Sequence, residues 1–74
     1  MKTHLACGKF IHKERTKKKL SLAKLSQKAF GSPHQAKNIS LIERGMNENV
    51  QFNTVEKILS ALGYELKDLF LNNN

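Results

Sequence analysis

The chain has one cysteine, Cys7, in seventy-four residues. No internal disulfide can form, which suits a reducing compartment. Long apolar runs are also missing. Near the start the longest is Leu5-Ala6-Cys7, too short for a secretory leader or a membrane span. The expectation is a cytoplasmic protein. Period-two alternation of apolar and polar residues is absent, as is an Asn-Gly hairpin turn, so no strand is expected. There is no internal repeat. Catalytic groupings are lacking too: no carboxylate pair, Ser/His/Asp set or phosphate-cradling glycine loop can be assembled, and no enzyme activity is expected. His4, Cys7 and His12 are metal-ligand types, but they lack a fourth member and a CxxC or HxxxH pairing. Neither a metal nor any other cofactor is expected.

Acidic residues are scarce in one half only. Residues 1–37 hold ten Lys/Arg against a single acid, Glu14, while residues 38–74 hold three against five. The net charge of +7 is thus +9 over residues 1–37 and −2 over residues 38–74, so the surplus is confined to the first half. That asymmetry points to a polyanionic partner, nucleic acid before an anionic membrane surface.

What is present is helical periodicity. Residues 1–4 read as a flexible N-terminus. A first helix runs from Leu5 to about Lys18, with Leu5, Gly8, Ile11 and Arg15 along one face. Glycine is a poor helix former, so Gly8 suggests close approach by another helix. Phe10 lies off this stripe and is expected either to pack against the C-terminal end or to be an exposed aromatic. Ser21 is an N-cap, with Leu20 and Leu25 at hydrophobic-staple positions, for a second helix ending near Phe30. Gly31-Ser32-Pro33 breaks that helix. The third helix starts either at Ser32, with Pro33 in its first turn, or nearer Gln35, and ends at Arg44-Gly45.

After the polar loop from Met46 to Asn49, Asn53 and Glu56 resemble a capping box. Phe52, Val55, Ile58, Leu59 and Leu62 form a strong stripe, and Gly63 ends the fourth helix. Leu66, Leu69 and Phe70 suggest a short fifth helix, followed by a disordered tail over 72–74. The expectation is an all-α fold of five short helices around one core.

Three segments share a pattern. Gly8-x-x-Ile11-x-x-x-Arg15-x-x-x-x-Leu20-Ser21-x-x-x-Leu25 resembles the opening of the Cro/phage-repressor (Xre-type) helix-turn-helix family. Ile39-Ser40-x-Ile42-Glu43-Arg44-Gly45 resembles its recognition-helix ending, and Val55-x-x-Ile58-x-x-Ala61-Leu62-Gly63 its fourth helix. Residues 5–71 would then be one helix-turn-helix DNA-binding domain, with the helix-turn-helix formed by helices 2 and 3. The resemblance implies a partly buried ion pair between Arg15 and Glu43. Two departures stand out. Leu22 occupies a position where the family often has a DNA-contacting glutamine, so no DNA role passes to it. The link from Leu25 to Ile39 is longer than the commonest form and looks like an expanded-turn variant.

The implied function is a transcriptional regulator, a repressor or self-regulating controller of bacterial or phage type. It would read double-stranded DNA at a palindromic operator as a homodimer. Gln35, Lys37, Asn38 and Ser40 would contact bases in the major groove, where amides can pair with adenine and lysine can donate to guanine. Ala36 could touch a thymine methyl. Lys17, Lys18, Lys19, Ser21, Arg44 and Asn47 would contact phosphates. Leu66, Leu69, Phe70 and Leu71 would form the dimer seam. The alternative is an antitoxin that binds its own operator and a toxin protein; the chain has almost no extension beyond the core that could wrap one. An RNA- or membrane-binding module is a weaker third class. The sequence lacks aromatic platforms for single strands, and helix 1 lacks a broad apolar face for lipid.

Overall fold

The computed structural model describes residues 3–47, 50–65 and 67–68, with side chains from Ala6 onward. Among them the chain forms four α-helices and no strand: α1 (Thr3–Lys17), α2 (Leu22–Phe30), α3 (Ala36–Glu43) and α4 (Phe52–Ala61). A short 3₁₀ turn, Pro33–Gln35, leads into α3. The fold is all-α. The expected fifth helix lies largely outside the described residues, as do the seam residues Leu66, Leu69, Phe70 and Leu71 and the 72–74 tail. Among the described residues no helix is long and apolar enough to cross a membrane.

The buried cluster draws on every helix: Cys7 and Ile11 from α1, Leu25 from α2, Ile39 and Ile42 from α3, and Val55, Ile58 and Leu59 from α4, with Leu62 just beyond it. α2 lies against α3 and α4, and α1 against α3. Gly8 permits that last approach. A Cβ there would sit 2.2 Å from the Ile42 carbonyl oxygen and 2.9 Å from that of Glu43, closer than atoms can pack. The helix-forming penalty of glycine is thus offset by backbone-to-backbone packing of α1 on the end of α3.

Three helices end alike. The amides of Lys19 and Leu20 bond to Thr16 and Arg15 oxygens after α1, those of Gly45 and Met46 to Ile42 and Leu41 after α3, and those of Gly63 and Tyr64 to Ser60 and Leu59 after α4. This paired closure needs a left-handed residue. Gly45 adopts it at φ 70°, and after α1 the same place is taken by Lys19 at φ 57°.

Some expectations need correction. α1 begins at Thr3 rather than Leu5, so residues 3 and 4 are helical; no glycine or proline precedes Gly8 to prevent the extra turn. The Asn53/Glu56 capping box is not formed. α4 starts earlier, with Gln51 at the N-cap and no side-chain cap. Val50 packs on the cluster that contains Val55, and these are the two positions that a hydrophobic staple joins. Core packing therefore sets the entry, and Asn53 is already inside the helix. Phe52 leaves the stripe. As the first helical residue it points back past the edge of the core, and it is 68% exposed.

Candidate nucleic-acid interface

The segment from α2 to α3 is built by short polar contacts. Ser21 lies in extended backbone conformation, and its hydroxyl accepts the Lys24 amide at 3.1 Å. Leu20 beneath it packs on the core. α2 closes at Gly31, whose amide reaches the Gln27 oxygen at 2.9 Å. Ser32 then accepts the His34 amide and caps the 3₁₀ turn, with Pro33 at its start. Both proposed starts for the third helix are thus used. Ser32 caps the 3₁₀ turn, and the α-helix proper follows Gln35.

Ser26 joins these pieces. Fully buried on α2, its hydroxyl donates to the Ser32 oxygen and accepts the Gln35 amide at 3.0 Å. One side chain thereby holds both ends of the expanded turn and fixes where α3 begins. Nothing in the sequence pattern singled it out, since a serine within a helix usually reads as a surface residue.

The far end of α3 is tied to α1. Arg15 Nε lies 2.6 Å from Glu43 Oε2, and a terminal nitrogen lies 3.0 Å from Oε1, a two-pronged grip on the carboxylate. The other terminal nitrogen donates to the Leu20 carbonyl at 2.8 Å, which ties in the link to α2. Both side chains are largely buried, at 13% and 5% exposure. The hydrogen bond to Glu43 raises the Arg15 pKa above its already high ordinary value, against a smaller opposing effect of burial. His12 adds a contact that the sequence did not suggest: its Nδ1 lies 2.9 Å from Glu43 Oε1 on the exposed side. Cys7 is buried instead, and burial pushes its thiol pKa up. His12 and Cys7 thus face different surroundings, and the side chain of His4 lies outside the described residues.

With Ile39 and Ile42 inward, the 100° step of a helix turns Lys37, Ser40, Leu41 and Arg44 outward. Lys37 and Arg44 are exposed, and Ser40 and Leu41 are half-buried. The expected base-reading set divides here. Lys37 and Ser40 lie on the outer face. Gln35 is exposed at the N-terminal end of α3. Asn38 lies to one side, where its amide nitrogen faces Gln35 Oε1 and its oxygen faces Asn47 Nδ2, each at 3.4 Å. These contacts are longer than the usual hydrogen-bond distance. Ala36 is half-buried. Leu41, absent from the expected set, joins the outer face, and the four-residue spacing from Lys37 could have placed it there.

The expected phosphate contacts also divide. Lys17, Lys18, Lys19 and Ser21 are exposed at the corner between α1 and α2. The Lys18 ammonium sits 5.7 Å above the Tyr64 ring, a cation–π distance. Arg44 lies at the opposite end of α3, with its Nε 3.4 Å from the Ser40 oxygen. Asn47 is half-buried beside Asn38.

Glu14, the only acid among residues 1–37, is turned inward and is 5% exposed. Its carboxylate accepts the Tyr64 hydroxyl at 2.6 Å, and Tyr64 in turn meets Phe10 edge-on at 5.2 Å. The described surface of the N-terminal half therefore carries lysines with no acidic side chain among them. Compared with known family models, curated proteins and solved structures, the chain matches none.

Proposed function

We propose that the chain is a sequence-specific double-stranded DNA-binding regulator of transcription, acting in the cytoplasm as a repressor or self-regulating controller. In this reading α2 and α3 form a helix-turn-helix of Cro/phage-repressor type, and α3 enters the major groove. The observation that carries it is α3 itself. Its inner face is buried, its two ends are fixed by Ser26 and by Arg15 with Gly8, and its outer face bears Lys37, Ser40 and Arg44. A rigid helix with hydrogen-bonding side chains outward suits base edges, which display distinct donor and acceptor patterns in that groove.

Lys37 and Ser40 are the central base contacts, with Gln35 and Asn38 at the leading end. Lys17, Lys18, Lys19 and Ser21 on one flank and Arg44 and Asn47 on the other hold phosphates, which supply most of the affinity. A homodimer through the C-terminal segment would double a small footprint and read a palindrome with half-sites about 34–36 Å apart. Selection of bound duplexes from a random pool tests the reading. Enrichment of one palindromic motif supports it, and a pool that stays random refutes it.

A further inference from the structure

We infer that the outer ridge of α1 is a second phosphate-binding surface, which takes the backbone of the same duplex beyond the segment gripped by α3. This rests on the DNA-binding reading above and adds Lys9 and Lys13 to its contacts. Lys9, Lys13 and Lys17 follow one another at four-residue intervals, so they form a single stripe about 12 Å long at 1.5 Å per residue. All three are exposed; Lys9 lies opposite the Cys7, Ile11 and Glu14 face that meets the core, and the stripe winds round α1 to Lys17 on the flank of that face. Among the described residues none of them takes part in an ion pair.

The stripe differs from an ordinary solvated helix face in what it omits. Exposed helices usually alternate lysine with glutamate four residues apart, because like charges at that spacing repel. Here the one acid of α1, Glu14, is buried and bonded to Tyr64, so nothing on the helix balances the ridge. Repulsion along it is relieved when a polyanion lies alongside. A duplex carries one charge per about 1.7 Å of axis, dense enough to match all three lysines. Continuity selects the same duplex as the occupant. The ridge runs without a break into Lys17–Lys19 at the α1–α2 corner, where the proposed contact with phosphates begins.

The test measures salt-dependent binding of the full chain to mixed-sequence duplexes of about one and about three helical turns. The double variant Lys9→Gln/Lys13→Gln is expected to bind the long duplex with a log–log salt slope shallower by about 1.8, about 0.9 per lost phosphate, and the short duplex with an unchanged slope. Lys9→Glu gives a second readout. It places an acid four residues before Lys13, so the melting temperature of the free protein is expected to rise while affinity for the long duplex falls. An unchanged slope on the long duplex overturns the inference. So does an equal loss on both lengths, assembly of several duplexes on one protein, or a Lys9→Glu variant that loses melting temperature and affinity together. If the unaltered chain binds neither duplex, the DNA-binding reading itself fails; if it binds both and the ridge variants match it, only the ridge is lost.

Discussion

The Tyr64 hydroxyl and the Glu14 carboxylate meet at 2.6 Å across fifty positions of sequence, joining the residue just past α4 to α1. The bond to Glu14, then loss of solvent, then the charges of Glu14 and Asp68 raise the Tyr64 pKa above its ordinary value of 10.0. A raised pKa in the folded chain fixes the sign. The contribution of Tyr64 is fully present below about pH 10, and it is lost as the pH climbs through the folded value. The chain has one tyrosine and no tryptophan, so phenolate absorbance reports Tyr64 alone. Its midpoint is expected above 10 in the unaltered protein and lower in Glu14→Gln, which keeps an acceptor but removes the charge. A midpoint at the ordinary value in the unaltered protein would mean that the contact is not held.

Arg15 and Glu43 fix the end of α3 with little water around them. Removing either partner strands the other, and Arg15→Ala also leaves the Leu20 carbonyl without its donor. Each single change is expected to cost about 3–5 kcal/mol in urea unfolding. His12 is 58% exposed, and His12→Ala is expected to cost under about 1 kcal/mol. Near-equal, small losses for all three variants would contradict the buried grip.

Gly8→Ala separates helix propensity from packing. Propensity alone would favour alanine by about 1 kcal/mol. The new Cβ would collide with the backbone oxygens of Ile42 and Glu43, which have no side-chain freedom to give way. Thermal melting is expected to show net destabilisation of at least about 1–3 kcal/mol. A more stable variant would mean that α1 does not approach α3 this closely.

Ser26→Ala removes a hydroxyl that serves two backbone groups. The Ser32 carbonyl and the Gln35 amide would lose a buried partner, at an expected cost of about 1–3 kcal/mol. Amide hydrogen exchange should localise the effect, with faster exchange at Gln35 than in α4. Uniform change across all helices would argue against a specific brace.

Much of this architecture was legible in the sequence, for a physical reason. Ile39 and Ile42, the Leu20/Leu25 staple, the Ser21 cap and the glycines after α3 and α4 are local signals, and each lies where its spacing put it. Gly8 was legible as a close approach because glycine in a helix carries a cost that needs a reason. Apart from Arg15 and Glu43, which the resemblance implied, polar pairs between distant segments were not legible. No spacing rule joins Glu14 to Tyr64, His12 to Glu43 or Ser26 to the Gln35 amide, since those distances are set by how the helices pack. At α4 a local rule misled. The Asn53/Glu56 pattern is not used: Val50 packs on the core and Gln51 takes the N-cap position with no side-chain bond. At the candidate interface the residue types pointed to the helix, but its outward face follows from Ile39 and Ile42 turning inward, which the residue types alone do not give. That placed Asn38 to one side and brought Leu41 outward.

The most direct test of base reading by α3 is selection from random duplexes run in parallel on the unaltered chain, Lys37→Ala and Lys18→Ala. The account predicts that Lys37→Ala relaxes the preference at one position of each half-site, a change of about 1–3 kcal/mol in discrimination there. Lys18→Ala should weaken binding to every sequence alike and leave the motif intact. The same motif recovered with Lys37→Ala, or a motif altered only by Lys18→Ala, would contradict it.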